Sequence, residues 1–371
     1  YPENITIAPN ADTYDERLRL YFVAMTRAKR QLFLTYARTD LNGKDTLVAS
    51  FLAGVNLQPI MHRTPETVAQ LTAQAQTAWH DRIIRKPTAS MKALLAPMLE
   101  QYKLSATHLN NFIDISHGGP QGFLMNNLLR FPQAKSAGAS FGTAIHAALQ
   151  RAHTHLSATG ERRPAEDVIG DFVRELHDQR LNIDEFNHYA KRGTDALSKF
   201  LHTEYDSFTP AQKAELNFAS QGVTLGDARL TGSLDLVDIN DNHIFVTDYK
   251  TGKPSTSWTG RGDYEKIKLH KYRQQLMFYQ LLCQHSRDYA SYEFDGAILQ
   301  FVEPDSHGNI HSLDQTFSTE ELTQFAALIA AVWRCIVTLE LPDASDYSAD
   351  YKGMLQFEKD LIAGNEVSAQ N

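Results

Sequence analysis

The segment at residues 232–250 constrains the fold more than any other part of the sequence. Its first half alternates apolar and polar residues up to position 240, and Asp241 and Asn242 then form a polar tip. The alternation resumes at residues 243–250. Alternation with period two on both sides of a short polar tip is typical of a β-hairpin. The pattern therefore predicts two antiparallel strands joined by a tight turn.

This hairpin carries two carboxylates whose spacing depends on the length of the turn. If the turn has two residues, Asp235 lies directly opposite Asp248, whereas a three-residue tip would shift the pair by one position. Opposed side chains are about 4.5–5.5 Å apart at Cβ, and like charges at that spacing destabilise a sheet. A divalent cation between the oxygens reverses that sign, since Mg²⁺ prefers hard oxygen ligands. The facing carboxylates therefore indicate a metal site.

Lys250 lies two residues after Asp248, on the same face of the strand. Its ammonium could orient water or offset charge on a phosphoryl oxygen. The other interpretation is structural: Asp235 and Asp248 are strand-end carboxylates that face solvent, and Lys250 is their salt-bridge partner. The pattern of these three residues alone leaves both interpretations open.

Two predicted helices supply further candidates. His146 follows Gly142 by four residues on a helix whose apolar positions, Ile145 and Leu149, are spaced for burial. It is either a metal ligand or a hydrogen-bonding group beside the core. In the second helix Lys271, Gln275 and Tyr279 are spaced four apart and share one face, which is either functional or solvated.

The periodicity of the whole chain predicts an α/β fold. Apolar spacing of three to four residues predicts helices, and period two or short apolar runs predict strands. The predicted helices lie near residues 15–27, 65–82, 105–115, 122–131, 140–157, 165–180, 184–206, 266–285 and 318–340, and the predicted strands near residues 31–36, 214–219, 229–239, 243–250, 292–303 and 309–316. This order favours a mixed sheet flanked by helices.

Composition excludes several classes of protein. With 36 basic and 44 acidic residues the net charge is −8, so DNA would have to bind at a local basic stripe. The two cysteines, Cys283 and Cys335, form no CxxC pair, which excludes a disulfide framework, a cysteine zinc site and a four-cysteine iron–sulfur cluster. The apolar stretch at 325–339 contains Arg334 and predicts a buried helix rather than a membrane span.

The location of the protein is predicted from weaker signals. The chain begins at Tyr1 without an initiator Met and without a basic-then-apolar leader, so we expect a fragment of a longer protein without a signal peptide. The low cysteine content favours a reducing compartment, and we expect a cytoplasmic protein with no membrane partner.

Together these segments resemble the RecB family of PD-(D/E)XK nucleases, which includes the AddA and AddB nuclease domains. The resemblance covers residues 104–345, and its ordered elements are Gly142-x-x-x-His146, Glu215, Gly232-Ser-Leu-Asp235, Asp248-Tyr-Lys250 and Gln275-x-x-x-Tyr279. The resemblance implies a restriction-endonuclease-like fold of the cluster-free branch, in which DNA phosphodiester bonds are cleaved with Mg²⁺ or, as a substitute, Mn²⁺.

The resemblance also assigns roles to these residues. It implies that the metal is bound by His146, Asp235, Asp248 and the main-chain carbonyl of Tyr249, and that Lys250 serves the chemistry. Gln275 and Tyr279, with Lys271 on the same helix face, are then DNA-binding residues that also hold the site. Glu215 matches an acidic position before the hairpin and is either part of the catalytic group, a residue behind it or a surface residue of its strand.

A second resemblance lies near the start of the chain. The run from Arg17 to Arg30, with Val23-Ala-Met-Thr-Arg27-Ala-Lys at its centre, is similar to motif VI of UvrD-type superfamily 1 helicases. There the residue matching Arg27 contacts the ATP γ-phosphate, which suits a bidentate guanidinium. No phosphate-binding G-x-x-x-x-G-K-[ST] loop occurs, so we expect that this chain cannot hydrolyse ATP alone.

These resemblances predict the domain order. Residues 1–40 are the C-terminal remnant of a RecA-like helicase domain, 41–103 a helical connection, 104–345 the nuclease domain and 346–371 a tail. The expected function is that of a magnesium-dependent exonuclease in an ATP-dependent helicase–nuclease of DNA repair or recombination, with the helicase motor and an AddB- or RecC-like subunit as partners. The alternative is a catalytically silent nuclease-fold module that only binds DNA.

Overall fold

The computed structural model describes residues 13–34, 44–45, 52, 70–76, 90–133 and 135–369. The chain divides into two compact units, Tyr1–Thr88 and Ala89–Asn371. In the first unit, helix α1 spans Thr13–Thr26 as predicted, and residues 70–76 form helix α2 inside the predicted helix at 65–82. Arg27 is exposed directly after α1. Its role at an ATP phosphate stays a prediction.

The prediction of a strand at residues 31–36 is wrong for the residues that the structure describes. Residues 31–34 have no regular secondary structure and are exposed, while residues 35 and 36 lie outside the described part of the chain. An apolar run forms a strand only where a neighbouring strand pairs with its backbone N–H and C=O groups. No such neighbour occurs among the described residues of this unit.

The second unit contains nine α-helices and seven strands among the described residues. The helices are α3 Met91–Glu100, α4 Ala106–Ile113, α5 Gly119–Phe123, α6 Ala137–Thr159, α7 Ala165–Asp178, α8 Ile183–Glu204, α9 Asp263–Gln284, α10 Thr319–Thr338 and α11 Tyr351–Ala369. The strands are β1 Lys213–Asn217, β2 Thr224–Leu225, β3 Ala228–Arg229, β4 Ser233–Asn240, β5 His243–Lys250, β6 Glu293–Phe301 and β7 Ser312–Gln315.

Five strands form one mixed sheet in the order β1-β4-β5-β6-β7. All neighbours are antiparallel except β5 and β6, which are parallel and connected through α9. A parallel pair requires such a crossover, since a tight turn can join only antiparallel strands. The predicted mixed sheet flanked by helices is therefore confirmed.

The hairpin register agrees with the two-residue turn. Asn240 pairs with His243, and the register continues without a shift to Leu236 and Thr247. The next residues along the two strands are Asp235 and Asp248. The two-residue turn is confirmed and the three-residue tip is excluded; extended by one residue, the same register places the two carboxylates opposite each other, as predicted.

Local signals set several helix ends. The side chain of Ser105 accepts a hydrogen bond from the backbone N–H of His108 (3.2 Å) and begins α4, as predicted. Gly160 ends α6 in a left-handed conformation. The helix predicted at 122–131 is shorter and earlier: α5 is followed by a five-residue π-helical turn, Leu124–Leu128.

Two helices have no counterpart among the predicted elements. The helix α3 contains Pro97, which removes one backbone hydrogen bond, but Leu95 and Leu99 are buried and hold it in place. The helix α11 falls in the segment predicted as a tail, and it buries Met354, Phe357 and other apolar side chains against the core. Tertiary packing rather than local propensity determines both helices.

The helix α10 is the one element of the described residues that is long and apolar enough to span a membrane by length and composition. Its buried side chains, including Phe325, Ile329 and Ile336, belong to the main hydrophobic core of the second unit. This packing agrees with the buried helix predicted for the stretch at 325–339.

Candidate active site

Three carboxylates lie on three adjacent strands of the sheet. Glu215 stands between Ala214 and Leu216 of β1, which pair with Leu236 and Leu234 of β4, so the register places Glu215 opposite Asp235. Asp248 of β5 lies on the other side of Asp235. Side chains of directly opposed residues point to the same face. The sheet therefore concentrates three negative charges in one row.

The helix α6 adds an imidazole to one end of this row. His146 Nδ1 lies 3.3 Å from Asp235 Oδ2. One donor atom each from His146, Glu215 and Asp235 lies within 4.8 Å of the others. We call these three residues the open half of the site, because His146 and Glu215 border a groove of ≈ 550 Å³ that is also lined by Gly142, Thr143, Gln150 and two alanines of α6.

Gly142 allows α6 to approach the end of β5. A Cβ atom at this position would lie 3.2 Å from Thr251 Oγ1, closer than an ordinary contact. The side chain of His146, one turn later, is thereby brought to the row of carboxylates. The glycine that the sequence analysis placed in the Gly142-x-x-x-His146 element therefore has a packing reason.

The backbone of Glu215 is in an unusual conformation. Its φ of 51° is in the left-handed region, which a non-glycine residue occupies at a cost of about 1–3 kcal/mol. Its Oε2 accepts a hydrogen bond from Ser233 Oγ (2.9 Å), which holds the side chain beside β4. The sequence analysis left the role of Glu215 open. The structure brings it into the group around His146 and Asp235.

The other half of the site is a closed ring of four polar side chains. Lys250 Nζ lies 2.7 Å from Asp248 Oδ2 and donates to Gln275 Oε1 at 2.7 Å. Gln275 Nε2 donates to the Tyr279 hydroxyl at 2.5 Å, and that hydroxyl donates to Asp248 Oδ1 at 2.9 Å. We call Asp248, Lys250, Gln275 and Tyr279 the closed half, because the ring satisfies its members internally.

Burial and charge set the protonation of the closed half. Burial raises the pKa of Asp248, and the nearby Asp235 carboxylate raises it further, although Lys250 acts in the opposite direction. Burial lowers the pKa of Lys250, but the Asp248 carboxylate more than offsets this, so the net pKa is raised. The ammonium therefore stays protonated at neutral pH. Burial also raises the pKa of Tyr279, whose hydroxyl remains a donor.

The pKa of His146 is the balance of opposing effects. Burial lowers it, while the hydrogen bond and charge of Asp235, together with the charge of Asp248, raise it by more. Two nearby carboxylates thus favour the protonated imidazole. A divalent cation at the same place would compete with that proton, because a ligating imidazole must be neutral.

The donor set fits a hard divalent cation, with one change from the predicted ligands. An imidazole and carboxylate oxygens suit Mg²⁺ or Mn²⁺. The closely spaced group contains Glu215 instead of the predicted Asp248, whose oxygens are occupied by Lys250 and Tyr279. Asp248 Oδ2 is buried, and its contact with Lys250 Nζ at 2.7 Å is an ion pair rather than a well-aligned hydrogen bond. Its role as a ligand stays a prediction.

Tyr249 contributes through its amide and its ring. Its backbone N–H donates to Asp235 Oδ2 at 2.9 Å and fixes that carboxylate. Its buried hydroxyl lies 2.9 Å from His153 Nε2, so α6 contacts the hairpin at a second point seven residues after His146. The ligand role predicted for the main-chain carbonyl of Tyr249 stays a prediction.

Lys271 does not join its predicted neighbours. Its ammonium lies 2.6 Å from Asp114 Oδ2, and its backbone carbonyl accepts from Asn110 Nδ2. The Asp114 carboxylate is buried and requires a counter-ion, which Lys271 provides. In this structure the charge of Lys271 therefore serves the packing of α4 against α9, and its role in DNA binding stays a prediction.

Tyr279 lies inside the closed half. It is 4% exposed and its hydroxyl donates to Asp248, so it positions that carboxylate, while its role in DNA binding stays a prediction. The sequence analysis missed Tyr272, whose ring centre lies 4.4 Å from Lys250 Nζ. Its spacing of three residues before Gln275 was the available signal, since such residues share a helix face.

Comparison with known proteins yields one family. The family model described as the PD-(D/E)XK nuclease superfamily matches residues 103–350, about two thirds of the chain. The match includes both halves of the site and excludes Arg27. No curated protein matches the chain.

Proposed function

The chain belongs to the PD-(D/E)XK nuclease superfamily, and on that premise we propose that it hydrolyses DNA phosphodiester bonds with Mg²⁺ as its cofactor. The family indicates a metal-dependent nuclease. The observation that carries the proposal is the row of three carboxylates with an imidazole at one end and a protonated lysine at the other.

His146, Glu215 and Asp235 would hold the cation, with Asp248 as a further oxygen donor on the buried side. A divalent cation supplies Lewis-acid stabilisation of phosphoryl charge and lowers the pKa of water, and Mn²⁺ offers the same chemistry. The like charges of Glu215 and Asp235 otherwise repel each other across two strands, so binding a cation removes an unfavourable interaction.

Lys250 would act as an electrostatic residue and not as a base. Its ammonium is protonated and held between Asp248 and Gln275, so its position changes little when substrate binds. A fixed positive charge beside the carboxylates can stabilise the charge that develops on a phosphoryl oxygen. Gln275 and Tyr279 act through Lys250 and Asp248 and are positioning residues.

The proposed type of nuclease rests on the resemblance to RecB and AddA nuclease domains. The ordered elements from Gly142 to Tyr279 support an exonuclease of that type, with the nuclease domain at 104–345. The motif VI-like run around Arg27 supports a parent helicase–nuclease that uses ATP in DNA repair or recombination. We propose an AddB- or RecC-like subunit as its partner and the cytoplasm as its location.

The test is cleavage of labelled linear and circular single-stranded DNA by the 371-residue chain in Mg²⁺, Mn²⁺ or EDTA. We expect metal-dependent cleavage that Asp235→Asn and Lys250→Met each abolish. Asp238→Asn is the matched control, because Asp238 lies on the same strand but bonds Asn240 and Gln212 outside the site.

Cleavage of the linear substrate alone supports the exonuclease, and cleavage of the circle contradicts it. If the wild type cleaves neither substrate and calorimetry detects no Mn²⁺ binding, the nuclease proposal fails. A chain that binds DNA without cleaving it would be the silent module that forms the alternative.

A further inference from the structure

A second lysine lies beside the closed half and takes no part in its ring. Lys268 Nζ is 5.5 Å from the centre of the Tyr272 ring, and Lys250 Nζ is 4.4 Å from the same centre. The two ammonium groups therefore lie within about 10 Å of each other, on one aromatic side chain. Because Lys250 is ion-paired with Asp248, Lys268 is the further cation at this end of the row of carboxylates.

Lys268 has no anionic partner among the described residues. Its ammonium donates one hydrogen bond, of 3.3 Å, to the backbone carbonyl of Lys253, and it forms no ion pair there. Glu265, one turn earlier, is occupied instead by the backbone N–H of Arg261 and by Ser255. Burial lowers the pKa of Lys268, and the charge of Lys250 lowers it further, although Glu265 raises it. A bound anion would relieve this cost.

An exposed aromatic ring lies near Lys268 on the same helix. Tyr264 lies one helical turn before Lys268 on α9 and is 80% exposed. A large exposed aromatic next to an unpaired cation is the combination that binds a nucleotide, because a base stacks on the ring while the cation contacts a phosphate.

We propose that Tyr264 and Lys268 form a nucleotide subsite next to the scissile position, in which Lys268 binds the flanking phosphate and Tyr264 stacks on a base. This subsite rests on the proposed nuclease function and assigns one nucleotide of the substrate strand to the first two turns of α9. It extends the site from the closed half, through the Tyr272 ring, to the protein surface.

The first test neutralises Lys268 and the individual phosphates of the DNA strand separately. The affinity of the full chain for a labelled ten-nucleotide single strand is measured in EDTA, where no metal-dependent cleavage proceeds, for wild type and Lys268→Gln. Single methylphosphonate linkages, which are neutral, are placed at each position of the strand. We expect one position at which the neutral linkage weakens binding to wild type about tenfold but leaves binding to Lys268→Gln unchanged.

Matched variants separate a phosphate contact from a structural role. Lys266→Gln removes an exposed lysine two residues away on the same helix and should bind as wild type does. Lys268→Arg should restore affinity. Lys268→Gln should lower the slope of log affinity against log salt by about 0.7, the value for one phosphate contact on a single strand. Equal responses of Lys268→Gln and Lys266→Gln would overturn the subsite.

Stacking is tested with an abasic nucleotide next to the sensitive phosphate. Wild type and Tyr264→Phe should bind the abasic strand about tenfold more weakly than the intact strand. Tyr264→Ala should bind the abasic and intact strands equally. Loss of the discrimination in Tyr264→Phe would show that the hydroxyl and not the ring is used, which contradicts stacking.

The failure of the subsite and the failure of the nuclease are distinguishable. With Mg²⁺, Lys268→Gln should raise KM about tenfold and leave kcat within about twofold of wild type, since it binds a flanking phosphate and not the reacting one. If the wild type binds DNA but never cleaves it, the proposed nuclease function fails. The affinities measured in EDTA still test whether Lys268 and Tyr264 bind a nucleotide.

Discussion

The open and closed halves of the candidate site carry the same kinds of groups but stabilise them differently. In the open half, Glu215 and Asp235 lie close together, with neutral donors from Ser233 and the Tyr249 amide and with His146 as their titratable neighbour. In the closed half, the buried Asp248 carboxylate has Lys250 and Tyr279 as direct partners. The closed half is therefore complete as it stands, whereas the open half requires a positive charge from outside. Removing a carboxylate from the open half and removing Lys250 from the closed half should therefore change stability in opposite directions.

The largest effect is expected from Lys250→Met. Without the ammonium, Asp248 becomes a buried charge without a cation, which costs about 3–5 kcal/mol of folding stability. Loss of a fixed charge at the reacting phosphate should also lower kcat by about 10²–10³. Chemical denaturation at pH 8 and single-turnover cleavage measure the two effects.

A double variant tests whether the lost stability of Lys250→Met comes from charge or from packing. Lys250→Met combined with Asp248→Asn should recover most of the lost stability and none of the activity, because the uncompensated charge is gone but the site stays incomplete. If the double variant is as unstable as Lys250→Met, packing and not charge holds the closed half together.

Two of the three histidines of α6, His146 and His153, should give opposite dependences on pH. Burial lowers the pKa of His153 to about 4 from the usual 6.5. Its stabilising effect is complete above pH 6.5 and is lost as the pH falls through 4, which amounts to about 3 kcal/mol. Urea unfolding of wild type and His153→Gln at pH 4 and pH 7 measures the difference.

His146 is the contrasting case in the open half. Its folded pKa is raised, so its contribution is complete below pH 6.5 and is lost as the pH rises through the folded pKa. In EDTA, His146→Gln should therefore lower stability more at pH 6 than at pH 8. The same sign of pH dependence for both histidines would contradict their opposite pKa shifts.

A smaller effect is expected from Tyr279→Phe. The substitution leaves Asp248 Oδ1 buried without its donor, which costs about 1–3 kcal/mol. Because the reacting groups remain, kcat should fall by less than in Lys250→Met while KM for DNA stays near wild type. A rise in KM with unchanged kcat would instead support the DNA-binding role predicted for Tyr279 from the sequence.

The smallest effect, and one of opposite sign, is expected from Glu215→Gln. Removing one of two opposed like charges should stabilise the protein in EDTA by about 0.2–1 kcal/mol. Wild type should gain thermal stability on addition of Mn²⁺, since a ligand that binds only the folded state stabilises it, and this gain should be smaller in Glu215→Gln. A lower melting temperature of the variant in EDTA would mean that Glu215 is held by favourable contacts and is not under repulsion.

The sequence by itself determined the features that depend on neighbouring residues. The two-residue turn at Asp241 and Asn242 sets the register that places Asp235 opposite Asp248, and period two places Lys250 beside Asp248. The spacing of four residues on α9 likewise brings Gln275 and Tyr279 to one side of the helix. These relations are local, so they follow from the geometry of a hairpin and a helix.

Only the tertiary structure decided which distant groups complete the site. Glu215 joins it because β1 pairs with β4 and because its backbone adopts a left-handed conformation, and neither is visible in the sequence. Lys271 leaves it because the buried Asp114 attracts its ammonium. Buried charges are paired with whichever partner the packing brings near, so the sequence supplied the charged side chains and the packing of sheet and helices decided their partners.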